Sequence, residues 1–106
     1  MTEHLLAIHQ QLESPNEAQA LFGNQDSHLK MMEEELNVSI VTRGETVYVA
    51  GDEETFQIVD SLLASLLNLI RKGIEISERD VLYAIKMAKK HKLEFFESMY
   101  EEEITK

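Results

Sequence analysis

At 106 residues, with 43% hydrophobic content and a single proline, the chain reads as one folded domain with a modest core, not a disordered tail. It has no cysteine, which excludes a disulfide framework, a thiolate zinc site and a thiol nucleophile, and is compatible with a reducing compartment. The net charge of −10 resides in residues 1–70, where twelve acidic side chains face only Lys30 and Arg43, whereas residues 71–106 carry eight of each sign. Such a chain repels phosphate backbones at long range, which argues against tight nonspecific nucleic-acid binding.

The start, Met1-Thr2-Glu3-His4, lacks a basic-plus-apolar signal pattern. The longest apolar region, Ile58 to Ile70, is interrupted by Asp60, Ser61, Ser65 and Asn68 and is too short for a bilayer. The expectation is a soluble cytoplasmic protein with no membrane partner.

Leu5 to Leu12 fits two periods: Leu5, Ile8 and Leu12 suit a helix, and Leu6, Ile8, Gln10 and Leu12 suit a strand buried on one side. Ser14-Pro15 predicts a cap and first position for a short helix from about Pro15 to Phe22, closed by Gly23 in a left-handed conformation. Asp26 or Ser27 then caps a second helix with Leu29, Met32 and Leu36 inward, Glu33-Glu34-Glu35 on the solvated side and Asn37 as its stop. Val38 to Thr42 and Thr46 to Ala50 are β-rich runs joined around Arg43-Gly44-Glu45, a hairpin signal in which Gly44 supplies positive φ.

Asp52, Glu53 and Glu54 open the longest helix, about Asp52 to Lys72. Its apolar stripe (Phe56, Val59, Leu63, Leu66, Ile70) is widened by Ile58, Leu62, Leu67 and Leu69, which predicts burial against both the sheet and another helix. Gly73 caps that helix, and Ser77-Glu78-Arg79-Asp80 is a capping box for the next, whose stripe is Val81, Leu82, Ile85 and Ala88. Phe95, Phe96, Met99, Tyr100 and Ile104 are helically spaced apolar residues that either cover this domain or dock on something else.

Strand, helix, glycine loop, helix, two strands, long helix is the βααββα order of a type I KH module. The text Leu21-Phe22-Gly23-Asn24-Gln25-Asp26-Ser27-His28-Leu29-Lys30, with Glu34-Glu35-Leu36-Asn37-Val38, Arg43-Gly44, Gly51-Asp52-Glu53 and Ser77 to Ala88, resembles the N-terminal region of bacterial PhoH-family proteins. The resemblance covers roughly residues 6–105. It implies an α+β fold, KH type I-like, with a small, about three-stranded sheet packed against helices and an extra C-terminal helix. It also implies a KH-like domain over residues 1–92 and a helical tail over 93–106 leading to an absent P-loop ATPase domain. The family is linked to RNA metabolism and phosphate starvation. No G-x-x-x-x-G-K-[S/T] occurs in the chain, so ATP and magnesium would belong to the absent domain and no cofactor or catalytic residue is expected here.

In KH modules a GxxG loop lets backbone amides approach phosphates. Here the loop is Gly23-Asn24-Gln25-Asp26, with an acid in place of the second glycine. A weak RNA groove would use Gly23, Asn24, Gln25, His28, Lys30 and Arg43; the competing structural role of Asp26 is a helix cap. Arg79, Lys86 and Lys90 share a helical face, with Lys89, His91 and Lys92 alongside. They serve either as a handle for RNA or as a solvated face with cations at a helix end. His4 and His9, with Glu3 or Glu13, match no known metal spacing, and the carboxylate pairs have no pocket partner. The expected role is non-catalytic: assisting RNA engagement or positioning the parent's own ATPase domain. The alternative is a protein-interaction or homo-oligomerisation module with a degenerate loop and no RNA binding.

Overall fold

The computed structural model describes residues 5–8, 12–43 and 46–104. It is an α+β domain in which a three-stranded antiparallel sheet packs against helices. The elements are β1 (Leu5–Ala7), α1 (Pro15–Phe22), a single 3-10 turn (Asn24–Asp26), α2 (Ser27–Leu36), β2 (Ser39–Arg43), β3 (Thr46–Ala50), α3 (Glu53–Arg71), α4 (Glu78–Lys89) and α5 (Leu93–Ile104). Through α3 this is the predicted order.

Of the two periods open to Leu5–Leu12, the strand is the one adopted at Leu5–Ala7. Leu5, Leu6 and Ala7 pair with Ala50, Val49 and Tyr48, and the Ile8 amide donates to the Val47 carbonyl at 2.9 Å. Residues 9–11 lie outside the described residues, and Leu12 is buried in the core. The hairpin pairs Ser39 with Ala50 through Arg43 with Thr46, so Arg43 belongs to β2 and not to the turn. Gly44 and Glu45, and with them the predicted glycine turn, lie outside the described residues. Sheet order is β1-β3-β2. Val47 and Val49 are buried on the face that carries Leu6 and Ile40, which is the alternation a half-covered sheet needs.

α3 is the central element. Asp52 caps it, accepting from the Thr55 amide at 2.9 Å, and hydrogen bonds from Thr55 hold the Asp52 carboxyl below the usual carboxylate range. Phe56, Val59, Leu62, Leu63, Leu66, Leu67 and Leu69 are all buried, against β3, α1, α4 and α5. Burying a Leu or Phe side chain contributes roughly 1.5–3 kcal/mol, so this helix contributes more apolar burial than any other element. At its end Gly73 (φ +88°) lets the Ile74 amide reach back to the Leu69 carbonyl at 3.0 Å.

The predicted capping box on α4 forms in both directions: the Ser77 hydroxyl accepts from the Asp80 amide and the Asp80 carboxylate accepts from the Ser77 amide. The buried stripe is Val81, Ala84, Ile85 and Ala88, with Leu82 only half-buried. α4 then ends without glycine. His91 takes φ +58° and the Lys92 amide bonds the Met87 carbonyl at 2.8 Å. The two adjacent phenylalanines that follow diverge. Phe96 is fully buried, its ring 5.9 Å from that of Tyr83, while Phe95 is 57% exposed. The Glu97 carboxylate accepts from the Ser65 hydroxyl at 2.8 Å and the Asn68 amide at 3.3 Å, fastening α5 to α3.

Two polar side chains set element positions that the sequence pattern leaves open. Glu33, expected on the solvated face, is half-buried and accepts from the Ile40 amide at 2.8 Å. The pairing register turns that amide away from β3, so Glu33 covers part of the free edge of β2. Glu17 holds Arg71 through two bonds, 2.8 Å from Nε and 3.1 Å from Nη2, clasping α1 to the end of α3. The guanidinium beside it, with the Glu13 amide, holds the Glu17 carboxyl below the usual carboxylate range.

Replacing Phe96 by Ala is expected to cost about 3–5 kcal/mol in urea unfolding, and Phe95→Ala to stay within about 0.5 kcal/mol. Because folding depresses the Glu17 pKa, its stabilisation is present above the ordinary carboxylate range and is lost as pH falls through the folded value. The Tm gap between the wild type and Glu17→Gln should therefore narrow steadily on acidification through that range.

Candidate nucleic-acid interface

The junction between α1 and α2 is built from the Ser14 end. The Ser14 hydroxyl accepts from the Glu17 amide at 3.2 Å and starts α1, whose last turn places the Leu21 side chain in the core. The Gly23 amide closes that helix on the Gln19 carbonyl at 2.9 Å. Gly23 has φ +83° and ψ 179°, an extended positive-φ conformation that differs from the left-handed helical cap predicted. Only glycine adopts this region at low cost, and there is no room for anything larger. A Cβ here would lie 2.7 Å from the His28 Cγ.

Two left-handed residues follow in succession, Gln25 (φ 55°, ψ 35°) and Asp26 (φ 60°, ψ 28°), neither of them glycine. The Asp26 amide bonds the Gly23 carbonyl at 3.3 Å. Asp26 precedes α2 as expected of a cap, yet its side chain makes no capping hydrogen bond. A cap acceptor works from extended φ/ψ, and the left-handed backbone removes that geometry. The structural role assigned to Asp26 from sequence is therefore not the one it performs.

Of the six predicted contact residues, the fold brings Gly23, Asn24, Gln25 and His28 together at this junction. Asn24 and Gln25 are exposed. Lys30 is exposed on the first turn of α2, and Arg43 is exposed at the hairpin end of β2, on a different element. His28 differs from the expectation of a groove-facing base. It is only 5% exposed and its Nδ1 lies 3.1 Å from the Leu21 carbonyl oxygen. A carbonyl only accepts, so Nδ1 carries the proton and donates. The spacing of His28 four residues before Met32, beside Leu29 on the inward stripe, was the signal that would have placed it inside.

The second basic cluster is partly engaged. Lys89 pairs with Glu35 of α2 at 3.8 Å, while Arg79, Lys86, Lys90 and Lys92 are exposed. His4 and His9 lie outside the described residues. Among the described residues no group of three or more His, Asp or Glu is arranged to hold a metal ion, and no helix is long and apolar enough to cross a membrane. The loop thus offers exposed backbone and amide side chains to a ligand, with one cation nearby and one acid within it.

Gly23→Ala, which strains φ and drives Cβ into His28, is expected to destabilise by more than about 1 kcal/mol. Asp26→Gly relieves a left-handed non-glycine without removing a cap, so it should leave stability unchanged or raise it by up to about 1 kcal/mol. Urea unfolding of the two variants measures both.

Comparison with known proteins adds the lineage. No family model matches the chain, and no solved structure matches it. Over all 106 residues it is 74% identical to a PhoH-like protein of Bacillus subtilis (strain 168), and it spans about a third (33%) of that protein's length.

Proposed function

We propose that this chain, PhoH-like in sequence over its whole length, is the non-catalytic KH-like part of a larger cytoplasmic PhoH-like ATPase and presents single-stranded RNA to it. The observation that carries the reading is the exposed, glycine-opened turn of Gly23 to Asp26 between α1 and α2, set within the β-α-α-β-β-α order. Asn24 and Gln25 supply backbone and side-chain hydrogen bonds to a phosphate or base, Lys30 supplies the neighbouring positive charge, and Arg43 adds charge from the hairpin end of β2 for a strand long enough to reach it. The acidic surface and Asp26 keep that affinity weak, so the domain steers a strand and leaves tight binding to the ATPase domain that its relative's greater length accommodates. ATP and magnesium belong to that domain, and residues 93–106 lead toward it.

A second reading has its own support. Phe95 is an exposed aromatic on a helix whose neighbouring Phe96 is fixed in the core, as a rigid contact to another protein surface would be. In that reading the domain associates with the ATPase domain or with a second copy and binds no RNA.

Filter binding of a short single-stranded RNA at low salt tests the first reading. Affinity stronger than about 10⁻⁴ M, weakened by Lys30→Glu and Arg43→Glu and by added salt, is the expected result. No affinity above that level overturns the RNA role. Sedimentation across a concentration range tests the second, and a monomer throughout, indifferent to the added ATPase domain, removes it.

A further inference from the structure

We infer that His28 is the positioning residue of the Gly23–Asp26 turn: it fixes the loop that a ligand meets while touching no ligand itself. This deepens the RNA reading and rests on it for the identity of the ligand, but the positioning claim is made of the loop alone.

Three observations converge. The imidazole is buried, so its ring is part of the packing beneath the loop and not an arm reaching from it. Its Nδ1–H donates to the carbonyl of Leu21, two residues before the glycine, which ties the last turn of α1 to the first turn of α2 across the intervening loop. The missing Cβ of Gly23 is the space the ring occupies, since an atom there would meet Cγ at 2.7 Å and Cδ2 at 2.8 Å. One side chain of α2 thus meets the α1 end of the turn at two points, the Leu21 carbonyl through a hydrogen bond and Gly23 through close packing.

Between Gly23 and His28 lie Gln25 and Asp26, both in the left-handed conformation that L-residues adopt only at a cost. Side-chain capping does not hold this geometry, because Asp26 makes no cap bond. The surroundings must over-determine it, and His28 is the group placed to do so. The bond requires a proton on Nδ1, and in a neutral ring that is the less common tautomer of a free histidine and therefore diagnostic.

The experiment uses the 106-residue chain. In mildly alkaline buffer, long-range proton–nitrogen NMR of the wild type should show His28 as the Nδ1–H tautomer; an Nε2–H ring overturns the inference. In His28→Leu the amide resonances of Asn24, Gln25 and Asp26 should move while those of α3 stay in place, and His28→Asn, which keeps a donor, should return them toward wild type. RNA affinity should fall about tenfold in His28→Leu and recover in His28→Asn. A folded His28→Leu with unmoved loop amides overturns the inference. If that variant does not fold, the wild-type tautomer decides. Absence of RNA binding by the wild type defeats the proposed ligand, and the loop resonances still judge the role of His28.

Discussion

The breadth of the apolar face of α3 governs the architecture. A helix with a narrow stripe needs one partner, but α3 buries residues from Phe56 to Leu69 around much of its circumference. The sheet, α1, α4 and α5 each cover a different sector of it. α1 is held there by Arg71 as well as by packing, and α5 by Glu97 as well as by Phe96. The candidate loop sits on α1 and α2, at the margin of this arrangement, where its own side chains must maintain its shape.

Local signals of the fold were legible in the sequence wherever the physics is local. Ser14-Pro15, Asp52 and the Ser77–Asp80 box start helices through bonds to their own first turns, and the structure forms all three. The alternation of β3 and the stripe of α3 reflect burial periods that any covering element would satisfy. The strand at Leu5–Ala7 was less legible, because its short apolar run suits either period and only pairing with β3 decides it.

The site was legible in position but not in detail. The Gly-x-x loop and the need for glycine at residue 23 could be read from the residues. The inward turn of His28, the paired left-handed residues and the loss of the Asp26 cap depend on how α1 and α2 meet, and no pattern within either helix encodes that meeting. Glu33 and Glu34 make the same point within one acidic run. Adjacent in sequence, one is half-buried against a strand amide and the other is solvated. Likewise Phe95 and Phe96 are chemically identical neighbours, and only the packing of α5 sorts one inward and the other outward.

The Glu33 carboxylate on Ile40 has an effect beyond the placing of α2. Fibrillar growth by strand addition requires two sticky sides per unit, one to receive and one to offer. Here one side has its row of donors interrupted by a fixed anion, and the opposite side is a strand of three residues. Both edges of the sheet are thus poor templates for an added strand, one because a carboxylate occupies an outward amide and the other because it is short.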